Sequence, residues 1–354
     1  MQGEDFMRGV VFTGERSLDL MEFPDPTPGP GEVVLEIKAS GMCGSDLKFY
    51  RAASTGAQAL GLGTVKGPVI AGHEPCGVVA AVGAGVGPKV AREGERVMVH
   101  HYRGCGVCEH CRVGWSQLCA AGITVYGVTG HGAHAPYMTV PASTLVPLPD
   151  ALSFETGAAI SCGTGTAYGA LRRMNLSSRD TVVVVGQGPV GLSATQLAVA
   201  MGARVIALDT SPERLARAKE FGAEVVVDPR AGDAVAAIKE TTRGRGADLT
   251  LDTSGSPAGR LVAVRSARTW GTVCFVGEGD TVTLDVSQDM LRKQLTIIGS
   301  WTFSTAGQAD CARFVEERGI PVDRLFTHRW KLSQAAEAYR VFDAQAAGKG
   351  VFLM

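Results

Sequence analysis

The sequence of 354 residues has no excess of charge, no long apolar run, no internal repeat and no low-complexity tract. Lysine and arginine number 34 against 35 acidic residues, a net charge of −1. That balance gives no electrostatic footprint for nucleic acid or an anionic membrane. No apolar stretch reaches the roughly 18 residues a bilayer requires. The N-terminus, MQGEDFMRGVVF, lacks a positive segment followed by an apolar one, so it does not read as a secretory signal. Residues 1–6 read as a polar lead-in, with Met7 as an alternative start.

What is present is globular: 45% of residues are hydrophobic and 19% charged, at a length of about two domains. Nine cysteines without a signal argue against a disulfide framework. In a reducing cytosol clustered cysteines bind metal or do chemistry, and a cytoplasmic location is expected. The 46 glycines are scattered, which predicts tight turns.

Residues 7–150 carry short β-branched runs, VVLEIKAS, GVVAAVGA, ERVMVHH and YMTVPAS, separated by Gly and Pro. They predict an irregular β-domain. Near residue 151 the pattern changes. SFETGAAISCGTGTAYGALRRM reads as a helix capped by Ser153, and strands then alternate with helices from TVVVV to LTIIGS. Continuous apolar strands between helices predict a parallel sheet covered on both faces. The stretch 303–354 reads as two amphipathic helices and a last strand, GVFLM. The expected division is 1–162 with 302–354, and 163–301.

The strand TVVVV runs directly into the turn Gly186, Gly188, Pro189, Val190 and Gly191, which opens a helix, and Asp209 ends the next strand. Glycines in this spacing allow a tight turn, close approach of a pyrophosphate and close strand–helix packing. The phosphates then meet backbone N–H groups at a helix N-terminus. With the strand, the helix and the acid all in place, the pattern reads as a dinucleotide site. Asp209 would accept from ribose hydroxyls and repel a 2′-phosphate, which favours NAD over NADP. Arg214 either reaches the ribose or adenine or is a solvated helix residue.

Cys105, Cys108, Cys111 and Cys119 follow C-x2-C-x2-C-x7-C in a glycine-containing loop. Four thiolates from one short loop suit a closed tetrahedral zinc. An iron–sulfur cluster is the rival, but ferredoxin runs have a shorter last gap and a following Pro. A nucleic-acid zinc ribbon is opposed by the neutral charge and the lack of basic–aromatic interleaving.

Cys43 and Asp46 flank Gly44 and Ser45, His73 and Glu74 follow Gly72, and Cys162 lies at the junction of the two patterns. Singly, each reads as a buried core residue. Together with the fingerprint and the cysteine loop, over essentially the whole chain, they resemble the medium-chain, zinc-dependent alcohol dehydrogenase family, which includes alcohol, polyol and threonine dehydrogenases. The resemblance implies an α/β protein with a GroES-like irregular β catalytic domain and a doubly wound, parallel-sheet Rossmann domain. It also implies two zinc ions per chain, NAD, and a homotetramer, with a dimer as the alternative. TVCFVGEG is a candidate sheet edge for the assembly.

By the same resemblance Cys43, His73 and Cys162 are ligands of a catalytic zinc with a fourth position open. Asp46 orients His73, Glu74 is the acid beside the metal, and Ser45 bonds the substrate hydroxyl and starts a proton relay. Thr166 lies behind the nicotinamide, the backbone of Val276 and Gly277 holds the carboxamide, and Lys349 contacts the pyrophosphate or is an exposed terminal lysine. In many relatives the third residue after the relay hydroxyl is His, whereas here it is Lys48, a poor base unless desolvated. The reaction implied is a reversible oxidation of an alcohol, with hydride passing to NAD.

By motif offset His101, Thr129, Glu278 and Trp301 line the substrate pocket. Polar groups there favour a polar secondary alcohol, a polyol or sugar alcohol, because unpaired polar groups reject other substrates. A simple aliphatic alcohol dehydrogenase, an L-threonine 3-dehydrogenase-like enzyme, a reductase on the same fold without zinc, and a non-catalytic NAD- and zinc-binding protein are the alternatives.

Overall fold

The computed structural model describes residues 6–53, 67–344 and 348–354. Apart from Phe6, the polar lead-in lies outside them, while Met7 sits in the strand Phe6–Gly14. The chain forms two compact units. One runs through Cys162 and takes in the segment beginning at Phe303 and the last strand; the other is Gly163–Thr302, so Thr302 falls with the second.

The first unit is built on a seven-stranded sheet. Its order is Phe326–Trp330, Lys349–Leu353, Glu32–Gly41, Glu74–Val82, Arg96–Val99 and Leu145–Pro147, with Tyr137–Pro141 also paired to Glu32–Gly41. Alternation along Glu32–Gly41 sends Val33, Leu35 and Ile37 into a core with Val79, Val97, Met138 and Val140. The C-terminal strand crosses into this sheet antiparallel to Ala39–Gly41.

The second unit holds six parallel strands in the order Val225–Val227, Arg204–Leu208, Thr181–Val185, Ala247–Asp252, Ala267–Phe275 and Thr296–Gly299. Chain order reverses between Thr181–Val185 and Ala247–Asp252, which makes their carboxyl ends the expected ligand crevice of such a sheet. Val183 and Val185 pack with Ile206, Leu208, Ala263 and Val273. Helices begin where the sequence supplies caps: Ser211 Oγ accepts from Arg214 N at 3.3 Å, and Pro212 takes the first turn.

Two sequence expectations change. TVCFVG is not an edge, because its strand pairs with Ala247–Asp252 on one side and Thr296–Gly299 on the other. Among the described residues the edge on that side is Thr296–Gly299, the strand within LTIIGS. The long helix read from residue 153 is two helices, Phe154–Ile160 and Gly163–Arg173. They part at Ser161, whose carbonyl accepts from His101 Nδ1 at 2.8 Å and is lost to the helical ladder. Among the described residues no helix is long and apolar enough to cross a membrane.

Candidate metal and dinucleotide sites

The break at Ser161 releases Cys162 from the helix. Cys43 follows the strand Glu32–Gly41, and His73 precedes the strand Glu74–Val82. Ligand atoms of Cys43, His73, Glu74 and Cys162 all lie within 4.8 Å of one another, and all four residues are buried. The two sulfurs are 3.9 Å apart. Asp46 organises the set: its Oδ1 lies 2.8 Å from His73 Nδ1, and its Oδ2 accepts from Cys43 N at 2.8 Å. A carboxylate only accepts, so His73 carries a proton on Nδ1 and turns Nε2 toward the thiols. Ser45 Oγ stands 3.2 Å from that Nε2 and 3.3 Å from Cys43 Sγ.

The hydrogen bond from Cys162 holds the Cys43 thiol well below its ordinary range, against burial and helped by His73. Cys162 is raised by the same bond and by burial. Burial opposes a charged His73, but Asp46 and Cys43 outweigh it and raise the ring's pKa. Two sulfurs, an imidazole nitrogen with a fixed tautomer and a carboxylate form a donor set that fits zinc.

Lys349 is not an exposed terminal lysine. It is 2% exposed, and its Nζ donates to Glu74 Oε1 at 2.7 Å and to Met42 O at 2.9 Å. The final strand is pulled into the sheet and carries the ammonium inside, where Glu74 is its counter-charge. Burial pushes Glu74 up to about 7 in spite of Lys349. Lys48 lies half-buried on the short helix Asp46–Arg51, three residues beyond Ser45.

The second sulfur cluster is local. Sγ atoms of Cys105, Cys108, Cys111 and Cys119 lie within 4.8 Å of one another. Cys105 N donates to Cys119 Sγ at 3.2 Å, and Cys108 N to Cys105 Sγ at 3.3 Å. Backbone donors hold Cys105 low and Cys108 at about 6, whereas burial pushes Cys111 up to about 12. Gly104 closes the loop, since a Cβ there would stand 2.5 Å from Cys111 Sγ. Four convergent sulfurs with amide support fit a closed zinc site.

In the α/β unit Gly186 has φ +86°, and a Cβ on Gly191 would lie 1.8 Å from Gly186 O. A Cβ on Gly188 would meet nothing within 4 Å, so space stands open over the start of the helix Pro189–Ala200, where Val190 is in the first turn. Asp209 accepts from Gln187 N at 2.6 Å and Ser211 N at 2.8 Å, one on each oxygen. The remaining lone pairs can take hydroxyls. Arg214 Nη1 is 3.8 Å from Asp209. These residues fit a dinucleotide.

Other expected contacts fare unevenly. Thr166 is buried on the helix Gly163–Arg173. The amides of Val276 and Gly277 both donate to Asp252 O, at 2.9 and 3.0 Å, because the chain keeps pairing beyond the strand end. Those donors are not left for a carboxamide. Arg260 clamps the same loop, donating to Gly277 O at 2.7 Å and lying 3.6 Å from Asp252. His101 is brought beside His73, with ring centroids 5.1 Å apart. Thr129 Oγ1 instead accepts from Val125 N at 2.8 Å and closes its own turn. Glu278 is exposed and Trp301 is 38% exposed, and both belong to the α/β unit.

Residues 29–150 match the family of alcohol dehydrogenase GroES-like domains, and residues 189–317 match the zinc-binding dehydrogenases. The chain is 41% identical over 352 residues, 98% of each chain, to an uncharacterized zinc-type alcohol dehydrogenase-like protein, YphC, of Escherichia coli strain K12. It is 34% identical over 334 residues to a sorbitol dehydrogenase of Bacillus subtilis strain 168, covering 94% of this chain and 92% of that one. The solved structure of an acetophenone reductase from Geotrichum candidum, in complex with NAD, matches with a TM-score of 0.84 at 27% identity, over 100% of this chain and 99% of that one. The chain belongs to the zinc-dependent medium-chain alcohol dehydrogenase family, with a GroES-like domain and a Rossmann-like parallel sheet. Zinc and NAD are its cofactors.

Proposed function

We propose that this protein is an NAD-dependent dehydrogenase of a polar secondary alcohol, a polyol or sugar alcohol, carrying two zinc ions per chain. The observation that carries the reading is the Ser45 hydroxyl, 3.2 Å from His73 Nε2 and 3.3 Å from Cys43 Sγ at the rim of a buried S, S, N donor set. Cys43, His73 and Cys162 would hold one ion, with Glu74 beside it; Cys105, Cys108, Cys111 and Cys119 would hold the other. When bound, zinc supplies a Lewis acid toward the alcohol oxygen, and NAD supplies the hydride acceptor.

The chain's own residues do the rest. Asp46 keeps His73 in one tautomer. Ser45 Oγ would take up the substrate's hydroxyl proton as it passes its own proton on. Gly44 is exposed and Ser45 half-buried, which gives that proton a route to water. His101 is held neutral, chiefly by burial and then by His73, and offers a polar contact beside the donor set. The Bacillus subtilis relative's name, sorbitol dehydrogenase, supports a polyol. Asp209 selects NAD by receiving ribose hydroxyls. The free edge Thr296–Gly299 supports assembly into a homotetramer or dimer, which light scattering reads directly.

The test is an NAD-reduction screen over aliphatic alcohols, polyols, sugars and threonine, with metal analysis of the same sample. Polyol turnover with about two zinc ions, lost in Cys43→Ser, is expected. A fully loaded protein that turns over only aliphatic alcohols, or none of the panel, overturns the reading.

A further inference from the structure

Behind Asp46 lies a hydrogen-bonded chain that the sequence did not announce. Tyr339, on the helix Ala335–Asp343, donates its hydroxyl to Asp46 Oδ2 at 3.3 Å. The same hydroxyl is 2.8 Å from His134 Nε2, and His134 Nδ1 is 2.7 Å from Ser40 Oγ. Ser40, His134 and Tyr339 are 0% exposed and Asp46 is 1% exposed.

Every proton in this chain can be placed. Asp46 only accepts, so Tyr339 gives it its single proton. The tyrosine oxygen must then accept, so His134 carries its proton on Nε2. His134 Nδ1 is left to accept from the Ser40 hydroxyl. All donors point one way and end on Asp46, whose other oxygen faces His73. Burial keeps His134 neutral, with its pKa pushed down to about 4.

Packing alone does not call for these polar atoms. Tyr339 sits among Phe12, Tyr50 and Phe352, with ring centroids 4.9, 5.4 and 6.3 Å away, and His134 meets Phe352 at 4.7 Å. A phenylalanine would fill that space without the cost of burying a hydroxyl. The backbone is shaped to admit the imidazole: Gly72, directly before His73, has φ +90°, and a Cβ there would stand 2.3 Å from His134 Nδ1.

We propose that Tyr339, supported by His134 and Ser40, is a positioning residue of the catalytic metal centre: it holds Asp46, and through Asp46 the tautomer and orientation of His73. The proposal rests on His73 being a zinc ligand. Removal of an outer partner of a metal-bound histidine lowers metal affinity by roughly 10–100-fold.

The experiment compares full-length wild type, Tyr339→Phe and Tyr50→Phe by zinc transfer to a chromophoric chelator and by visible spectra after cobalt substitution. Tyr50→Phe removes a hydroxyl from the same aromatic cluster without touching Asp46. Tyr339→Phe is expected to weaken one zinc by roughly 10–100-fold, to leave the four-cysteine zinc unchanged and to alter the cobalt bands. Tyr50→Phe should match wild type. His134→Gln keeps an N–H donor toward Tyr339 and should fall between, whereas His134→Leu should resemble Tyr339→Phe. Unchanged affinity and spectrum in Tyr339→Phe overturn the proposal, as does equal weakening of both zinc ions. A wild type whose Cys43 set takes up no zinc overturns the ligand assignment, and the positioning role with it.

Discussion

Lys349 Nζ and Glu74 Oε1 are 2.7 Å apart in a buried ion pair, with the ammonium also held by Met42 O. The last strand thereby places a positive charge next to the Cys43, His73, Glu74 and Cys162 set, where it offsets the negative charge of Glu74 and Cys43.

Removal of one partner of such a pair leaves an uncompensated charge. Lys349→Met is expected to cost roughly 3–5 kcal/mol of stability. Glu74 would bind its proton more tightly in the folded chain than in the unfolded one, so the deficit grows as pH rises. Glu74→Gln combined with Lys349→Met should recover most of the loss. Urea titrations at pH 6 and 8 measure both effects, and additive single and double losses would contradict them.

Asp209 receives two backbone N–H groups and retains lone pairs for ribose. Asp209→Gly is expected to lower kcat/KM for NAD by roughly 10- to 150-fold, the equivalent of one or two charge-assisted hydrogen bonds. NADP should lose far less, because the repelling charge leaves with the carboxylate. An unchanged NAD to NADP ratio would remove Asp209 from the ribose site.

Gly188 and Gly191 make a contrast. Gly188→Ala meets nothing in the folded chain and has an ordinary φ of −69°. It should fold normally and raise the Kd for NAD by roughly tenfold or more, because the methyl takes the phosphate's space. Gly191→Ala drives its Cβ into Gly186 O, so the turn itself must move. A fall in Tm of several degrees is expected alongside lost NAD binding. Thermal melts with NAD titration separate the two, and equal Tm losses would contradict the contrast.

His100 and His134 are fully buried, and burial pushes both down to about 4. The unfolded rings titrate near 6.5, so between those values the unfolded chain binds protons that the folded chain refuses. Stability is full above about pH 6.5 and falls as pH drops toward 4, each ring contributing about 1.4 kcal/mol per pH unit. His100→Gln should flatten the decline of Tm between pH 7 and 5. A Tm independent of pH over that interval would rule the mechanism out.

The features legible in the sequence are those set by near neighbours. The glycine turn, the Ser153 cap and the cysteine loop each depend on residues a few positions apart, and each forms where its pattern lies. The features that were missed depend on distant partners. Ser161 has a helical neighbourhood, and only the His101 side chain, 60 residues away, draws off its carbonyl. Tyr339 and His134 carry no spacing signal, because 205 residues separate them and a tyrosine in an amphipathic helix reads as core. Lys349 read as a phosphate contact or a surface residue because nothing in GKGVFLM shows that the strand enters the sheet. Thr129 was placed by loop offset, which carries no information on its bond to Val125.

The donors of the two metal sets are spaced very differently along the chain. Cys105 and Cys119 are 14 residues apart, and Cys43 and Cys162 are 119 apart. Closing the longer span costs about 2 kcal/mol more in chain entropy. It also has to wait until Cys162 has been synthesised. The cysteine loop could therefore capture an ion once Cys119 has emerged from the ribosome, whereas the other set cannot close until Cys162 has followed. Zinc scarcity during synthesis should thus yield chains that are assembled but inactive, carrying the first ion and waiting for the second.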